Sequence, residues 1–166
     1  CKPGDIILTT GIHGLSKLGF LIQNKINFDN EFSLNKRLII KSIEHFCRPR
    51  VYPNFLNKLL KTRSNKNIRR IGCTDSSDGL FQALQDLAIA SKCKAIINHE
   101  KIPKDKDWPK GDKWDEYYFF GGEDYELVFS LPEKWAKNLT KLDKDINEIG
   151  FFTDGEPSIE FKDNKK

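Results

Sequence analysis

Two adjacent glycines followed at once by two carboxylates, Gly121-Gly122-Glu123-Asp124, open the segment that most constrains this chain. Glycine lets a backbone turn sharply or approach another group closely. Tyr125, Leu127, Phe129 and Leu131 then recur at every second position, which predicts a strand with one apolar face. A glycine turn carrying two acids at the mouth of a buried strand suits a metal ion or a polar substrate. A counterpart lies upstream in Asp75-Ser76-Ser77-Asp78-Gly79-Leu80, where two acids stand three residues apart just before a helical pattern. The rest of the chain reads as scaffold around these two segments.

That scaffold alternates strands with helices. Strands are predicted over residues 6–10, 68–74, 94–98, 146–152 and 158–161, the last two joined by the turn Asp154-Gly155-Glu156-Pro157. Ser16 is placed to cap a helix with Leu18, Leu21, Ile22 and Ile26 on one face, followed by a loop over residues 27–31. Ser33 then opens a second helix through Leu34, Leu38 and Ile43, which ends before Pro49. Pro53 suits the first turn of a short helix holding Leu56, Leu59 and Leu60. Leu80, Leu84, Leu87 and Ala88 mark another helix face. Residues 114–120 form a short helix, and Pro132 starts one with Trp135, Leu139 and Leu142. Residues 100–113 read as a polar surface loop. The pattern indicates an α/β or α+β two-layer domain.

The 166 residues, 38% of them hydrophobic, suffice for one domain with a proper core. Net charge is +4, but both signs are spread through the 31% of charged residues, which argues against a nucleic-acid footprint. The richest basic run, residues 58–70, reads as a solvated connector. Cys1, Cys47, Cys73 and Cys93 show no metal or redox spacing, and Cys73 and Cys93 sit among apolar neighbours. A reducing cytoplasm fits. No apolar run approaches the roughly 20 residues of a membrane span. The chain has no methionine and begins at Cys1, which points to a piece of a longer protein.

The acids admit two readings. Asp75, Asp78 or a neighbouring serine caps the following helix, as these residue types commonly do. Alternatively, Asp75 and Asp78 hold Mg²⁺, which takes one or two carboxylates together with substrate phosphates. Glu123 and Asp124 are likewise either solvated or ligand-binding, and the glycine pair favours the second. His13, His45 and His99 share no spacing and no partner nucleophile, so they read as structural. Arg48 and Arg50, flanking Pro49, suit either a phosphate or the surface.

GGEDYEL at residues 121–127 together with DSSDGL at residues 75–80 resembles the thiamine-monophosphate kinase family, whose pattern is Asp-x-Ser-Asp-Gly-Leu. The opening is similar too, with Pro3-Gly4-Asp5 and then Thr10-Gly11, Gly14, Ser16 and Gly19. Arg48-Pro49-Arg50-Val51 matches less well, since Cys47 stands where the family has an earlier proline. The likeness runs over residues 2–152. It implies an α+β fold with a mixed β-sheet covered by helices, that of the C-terminal domain of aminoimidazole-ribonucleotide-synthetase relatives. It also implies ATP- and Mg²⁺-dependent phosphorylation of thiamine monophosphate to thiamine diphosphate. Asp75 and Asp78 would then bind metal, and Ser77 and Gly79 the ATP. Gly121, Gly122, Glu123, Asp124 and Tyr125 would line the thiamine phosphate. An N-terminal domain supplying more of the ATP cleft is expected outside this single domain, residues 1–166, and a homodimer is compatible with the resemblance. The alternatives are a sister ATP-dependent synthetase and a non-catalytic ligand-binding module.

Overall fold

The computed structural model describes residues 1–25, 34–66 and 70–162. In chain order it has β1 (Asp5–Thr10), α1 (Leu15–Gln23), α2 (Lys36–Cys47), α3 (Phe55–Thr62), β2 (Gly72–Asp75), α4 (Leu80–Ser91) and β3 (Lys94–Ile97). A single 3₁₀ turn (His99–Lys101) follows, then α5 (Asp112–Phe120), β4 (Leu127–Pro132), α6 (Glu133–Leu142), β5 (Ile146–Thr153) and β6 (Ser158–Phe161). The expected Ile26 face, the 27–31 loop, the Ser33 cap and the start of a strand at Ile68 lie outside the described residues.

The six strands form one mixed sheet in the order β2-β4-β1-β5-β3-β6. All neighbours are antiparallel except β3 and β6. The α+β expectation of a mixed sheet covered by helices therefore holds. The turn after β5 does not make a hairpin, because β3 lies between β5 and β6. β1 occupies the middle, and its adjacent residues Ile7 and Leu8 face opposite ways with no exposed surface. Ile7 packs with α1, α2, α4 and α5 through Leu18, Leu38, Leu84 and Tyr118. Leu8 packs with the smaller pair, α3 and α6, through Leu59, Trp135 and Leu139. Burying each such side chain contributes about 1.5–3 kcal/mol. The Trp135 indole N–H is satisfied by the Leu59 carbonyl at 2.9 Å, which ties α6 to α3.

Several local expectations change in three dimensions. β4 is buried on both faces from Val128 to Leu131, because it sits between β2 and β1 under helices on either side. Tyr125 precedes the strand and is not part of its face. The cap of α2 is Asn35, whose side chain accepts the Arg37 N–H at 2.9 Å. Pro53 stands before α3, and Asn54 is the residue flanking its first turn. Residues 102–111 are anchored rather than free, with Ile102, Asp105 and Trp108 all buried. Asp105 receives Arg37, Lys41 and the Asp107 N–H. Part of the basic run is α3 itself, where Lys58 pairs with Asp143 at 2.8 Å. Cys73 lies exposed on β2, whereas Cys93 is buried, and all four cysteines are free. Among the described residues no helix is long and apolar enough to cross a membrane.

Candidate functional site

Antiparallel pairing of β2 with β4 sets Asp75 opposite Leu127 and brings the two acid-bearing segments together. Beyond the strands the contact continues. The Ser76 N–H donates to the Glu126 carbonyl at 2.9 Å, and the Glu126 N–H returns to Ser76 Oγ at 3.1 Å. The Glu123 N–H then reaches the Ser77 carbonyl at 2.8 Å. Residues distant in sequence thus share one rim.

On the upstream side, Asp75 Oδ1 accepts the Ser77 N–H at 3.0 Å and closes a tight local turn. Hydrogen bonds from Ser77 hold the Asp75 carboxyl below its usual range, so it is anionic at neutral pH. The residue flanking the start of α4 is Gly79, with φ of 98°, and no side chain caps the helix. The helix-capping reading of Asp75 and Asp78 therefore fails. Both acids are exposed, and the Asp78 carboxylate makes no hydrogen bond or ion pair with the described residues. Two exposed hard-oxygen carboxylates, of which Asp75 already accepts the Ser77 N–H, fit part of a Mg²⁺ site, which needs one or two carboxylates plus phosphate. No group of three His, Cys, Asp or Glu among the described residues closes a metal cage by itself.

On the downstream side the backbone sorts alternate residues inward and outward. Asp124 and Glu126 are buried, while Glu123 and Tyr125 are exposed. The sorting depends on two left-handed residues, Glu123 with φ of 67° and Tyr125 with φ of 53°. Such a conformation costs a residue other than glycine roughly 1–2 kcal/mol. The glycine pair is explained by close packing. A Cβ on Gly121 would lie 2.1 Å from the Tyr117 carbonyl oxygen, and one on Gly122 would lie 2.4 Å from that of Ser77. Gly122 is thus the point where the two segments touch.

Asp124 has a different task from the one expected of it. It is fully buried, and its carboxylate accepts the N–H groups of Gly14 at 2.5 Å and Ser16 at 2.9 Å. These are orphan donors at the start of α1, where the helix dipole also favours an anion. Ser16 is therefore capped by Asp124 instead of capping α1 itself. Burial pushes the Asp124 carboxyl up to about 6, against the pull of the Ser16 and Gly14 N–H groups.

Glu126 is the inward acid that the sequence reading passed over. It accepts the hydroxyls of Thr10 and Tyr52, each at 2.6 Å. Burial raises its carboxyl, but the nearby His45 imidazole and the hydrogen bonds from Thr10 and Tyr52 outweigh that and hold it below the usual range. His45 stands between the acids, with Nδ1 3.7 Å from Asp124 and Nε2 3.7 Å from Glu126. Its Nδ1 also lies 3.0 Å from Ser16 Oγ. His13 contacts the Thr9 hydroxyl through Nε2 at 2.6 Å, and burial drives its imidazole down to about 4. His13 and His45 thus join a polar core behind the rim, whereas His99 stacks on Phe119 with ring centroids 5.5 Å apart. Arg50 is held by Asp145 at 2.5 Å and covers the Tyr52 ring at 4.9 Å. One sequence signal for Glu126 exists: it stands directly before the apolar run Leu127-Val128-Phe129, and a charge drawn into burial demands partners.

Two depressions flank the rim. Glu123 and Gly122 share one of about 290 Å³ with Ser16, Lys17 and Phe20. Asp75 and Tyr125 share a larger cleft of about 620 Å³ with the segment leading into α3.

A mixed sheet whose edge turn carries paired acids against a second acidic turn defines a class, and the sequence matches it. Over residues 2–162 the chain belongs to the family of AIR synthase related proteins, C-terminal domain. Within that family it is similar to thiamine-monophosphate kinases. It is 36% identical to the enzyme of Prochlorococcus marinus over 154 residues, which cover 93% of this chain and 46% of that protein. It is 34% identical to that of Nitrosopumilus maritimus, covering 97% of this chain and 49% of the relative. Among solved structures, AaThiL complexed with AMPPCP and TMP superposes with a TM-score of 0.72 at 25% identity. That match covers 100% of this chain and 50% of the other. The chain spans about half the length of the curated relatives it matches.

Proposed function

We propose that the chain is the substrate-side half of a cytoplasmic kinase that uses ATP and Mg²⁺ to convert thiamine monophosphate into thiamine diphosphate. The observation that carries this reading is the hydrogen-bonded meeting of Ser77 with Glu123, which puts Asp75, Asp78, Glu123 and Tyr125 on one exposed rim. A rim with exposed carboxylates at one end and an acid beside an aromatic ring at the other suits a nucleotide phosphate meeting a cationic heterocycle.

In this reading Asp75 and Asp78 hold the metal, with Ser77 and Gly79 at the nucleotide. Magnesium, when bound, neutralises charge on the transferring phosphoryl group. The acceptor phosphate is already anionic, so no strong base is required. The protein's own task is positioning. Glu123 offers its carboxylate to the thiamine, and Tyr125 adds an aromatic face. Gly121, Gly122 and Asp124 act from behind, the glycines by close packing and Asp124 by fixing the start of α1. The other half of the enzyme supplies the rest of the ATP cleft. The relatives' names and the bound pair in AaThiL favour this reading over a sister synthetase or a non-catalytic module.

The test is thiamine diphosphate formation by the protein that includes the preceding half, beside the 166-residue chain alone. Turnover is expected only from the longer protein, and it should depend on Mg²⁺. Absence of turnover by the longer protein at saturating substrates overturns the reading. Robust turnover by the shorter chain overturns the need for a second half.

A further inference from the structure

Residues 123–126 are divided between the two depressions. Of the outward pair, Glu123 lines the smaller depression and Tyr125 the larger cleft. The inward acids divide in the same way. Asp124 holds the N–H groups of Gly14 and Ser16, and with them the turn whose Ser16 and Lys17 share the smaller depression with Glu123. Glu126 holds the hydroxyl of Tyr52, which shares the larger cleft with Tyr125. In each depression, the wall opposite the outward residue is fastened by the inward acid that follows it.

His45, in the last turn of α2, stands between the two fastenings. Its Nδ1 lies 3.0 Å from Ser16 Oγ and 3.7 Å from Asp124, its Nε2 lies 3.7 Å from Glu126, and its side chain is 13% exposed. α2 itself is pressed onto α1. A Cβ on Gly19 would lie 2.1 Å from the Ser42 carbonyl oxygen, and Phe20 meets Phe46 edge-on with centroids 5.7 Å apart. The imidazole therefore cannot drift from the acids without moving a helix.

Buried carboxylates need polar partners, and Gly14, Ser16, Thr10 and Tyr52 already supply them. What His45 adds is a bridge. A rigid ring that meets both acids carries a displacement of one flank to the other, as packed and hydrogen-bonded chains do.

We propose that His45 is a positioning residue that keeps the two depressions in register, so that groups held on either flank of the rim meet at a fixed separation. It acts through Asp124 and Glu126. That those groups are the partners of a phosphoryl transfer rests on the functional reading above; the linkage from Ser16 to Tyr52 rests on geometry alone. Transfer between two bound partners is steep in their separation, and a misplacement of about 1 Å can cost on the order of 100-fold in rate.

Methyl NMR of the kinase proposed above tests the linkage without any activity. Ser16→Ala removes the hydroxyl against His45 Nδ1, and the methyl groups of Val51 and Leu56 report from beside Tyr52. Exposed Ile89 on α4 is the control. Ser16→Ala should shift Val51 and Leu56 but not Ile89, and its effect should largely vanish in a His45→Leu background. Unmoved Val51 and Leu56 overturn the proposal even if no His45 variant folds. Shifts as large without His45 overturn it as well.

Steady-state kinetics, counted per folded molecule from the native methyl signals, then separates positioning from mere satisfaction of buried acids. His45→Leu should lower kcat at least about tenfold and leave both KM values within about twofold, as expected for an interaction expressed in the transition state. His45→Gln, which keeps a polar group in the gap, should regain part of the loss. A raised KM with unchanged kcat, or no change in either, overturns the proposal. A wild-type protein that makes no thiamine diphosphate yet passes the methyl test strikes the functional reading alone.

Discussion

The two acidic segments look alike in sequence and are built oppositely. Residues 75–79 are stitched locally: Asp75 bonds to Ser77 two residues on, Gly79 alone takes the left-handed conformation, and Asp78 stands free. Residues 121–126 are stitched globally. Their inward acids hold the start of α1, the end of β1 and the chain leading into α3, while two residues other than glycine bear the strain. The difference teaches that a carboxylate's task depends on which side of the backbone it leaves. Outward acids are free for a ligand, and inward acids are structural members whose loss spreads.

The strongest way to break this comparison is Glu126→Leu. It strands the buried Thr10 hydroxyl, the partly buried Tyr52 hydroxyl and a partly buried His45, so a loss of about 3–5 kcal/mol is expected in urea unfolding. A loss no larger than that of Asp78→Asn would erase the contrast. Gly122→Ala comes next. Its Cβ must displace the Ser77 carbonyl, and about 1–3 kcal/mol should be lost as the segments part. Protease susceptibility near residue 77 should rise with it. A variant that melts like the wild type would show that the chain yields easily there.

Proton linkage sharpens the picture with a smaller effect. Folded His13, depressed to about 4, is neutral where the unfolded chain still holds a proton. Its contribution to stability therefore rises with pH, from about 4 up to its ordinary value near 6.5. Folded Asp124, raised to about 6, keeps a proton that the unfolded chain has released. Its contribution falls as pH rises from about 4 to 6. The stability gap between wild type and His13→Asn should thus widen with pH, while that for Asp124→Asn should narrow. Converted at about 1.4 kcal/mol per unit, each change is at most about 3 kcal/mol across the window. Urea midpoints at several pH values check the signs, and gaps moving the same way would refute the assignment. The smallest structural effect belongs to Asp78→Asn, expected within about 0.5 kcal/mol of wild type. In the kinase proposed above, the same change should weaken Mg²⁺-dependent nucleotide binding, and unaltered calorimetric titrations would return Asp78 to the solvated surface.

Local periodicity made most elements legible, because strand and helix patterns are properties of neighbouring residues. The spacing of Leu80, Leu84 and Leu87 marked α4, and the twin acid segments marked the rim. Partners across the fold were not legible. Nothing near Asp124 says that it will cap a helix more than a hundred residues earlier, and nothing near His45 places it between two acids. β6 follows β5 after a short turn yet lies across β3 from it, a choice made by sheet packing. Trp108 turned an apparently polar loop into an anchored one by burying a single large ring.

The position of β1 bears on how the molecule is made. Residues 5–10 pair with residues 127–132 and 146–153, so the middle of the sheet cannot close until almost the whole chain is available. Pairings this distant must first overcome the entropy of large loops, and they slow folding accordingly. During synthesis at about 5–20 residues per second, Ile6, Ile7 and Leu8 emerge well before their partner strands and wait several seconds for them. The earliest strand of this sheet to be synthesised is among the last to be enclosed, and until then it is an unpaired apolar ribbon open to misassociation.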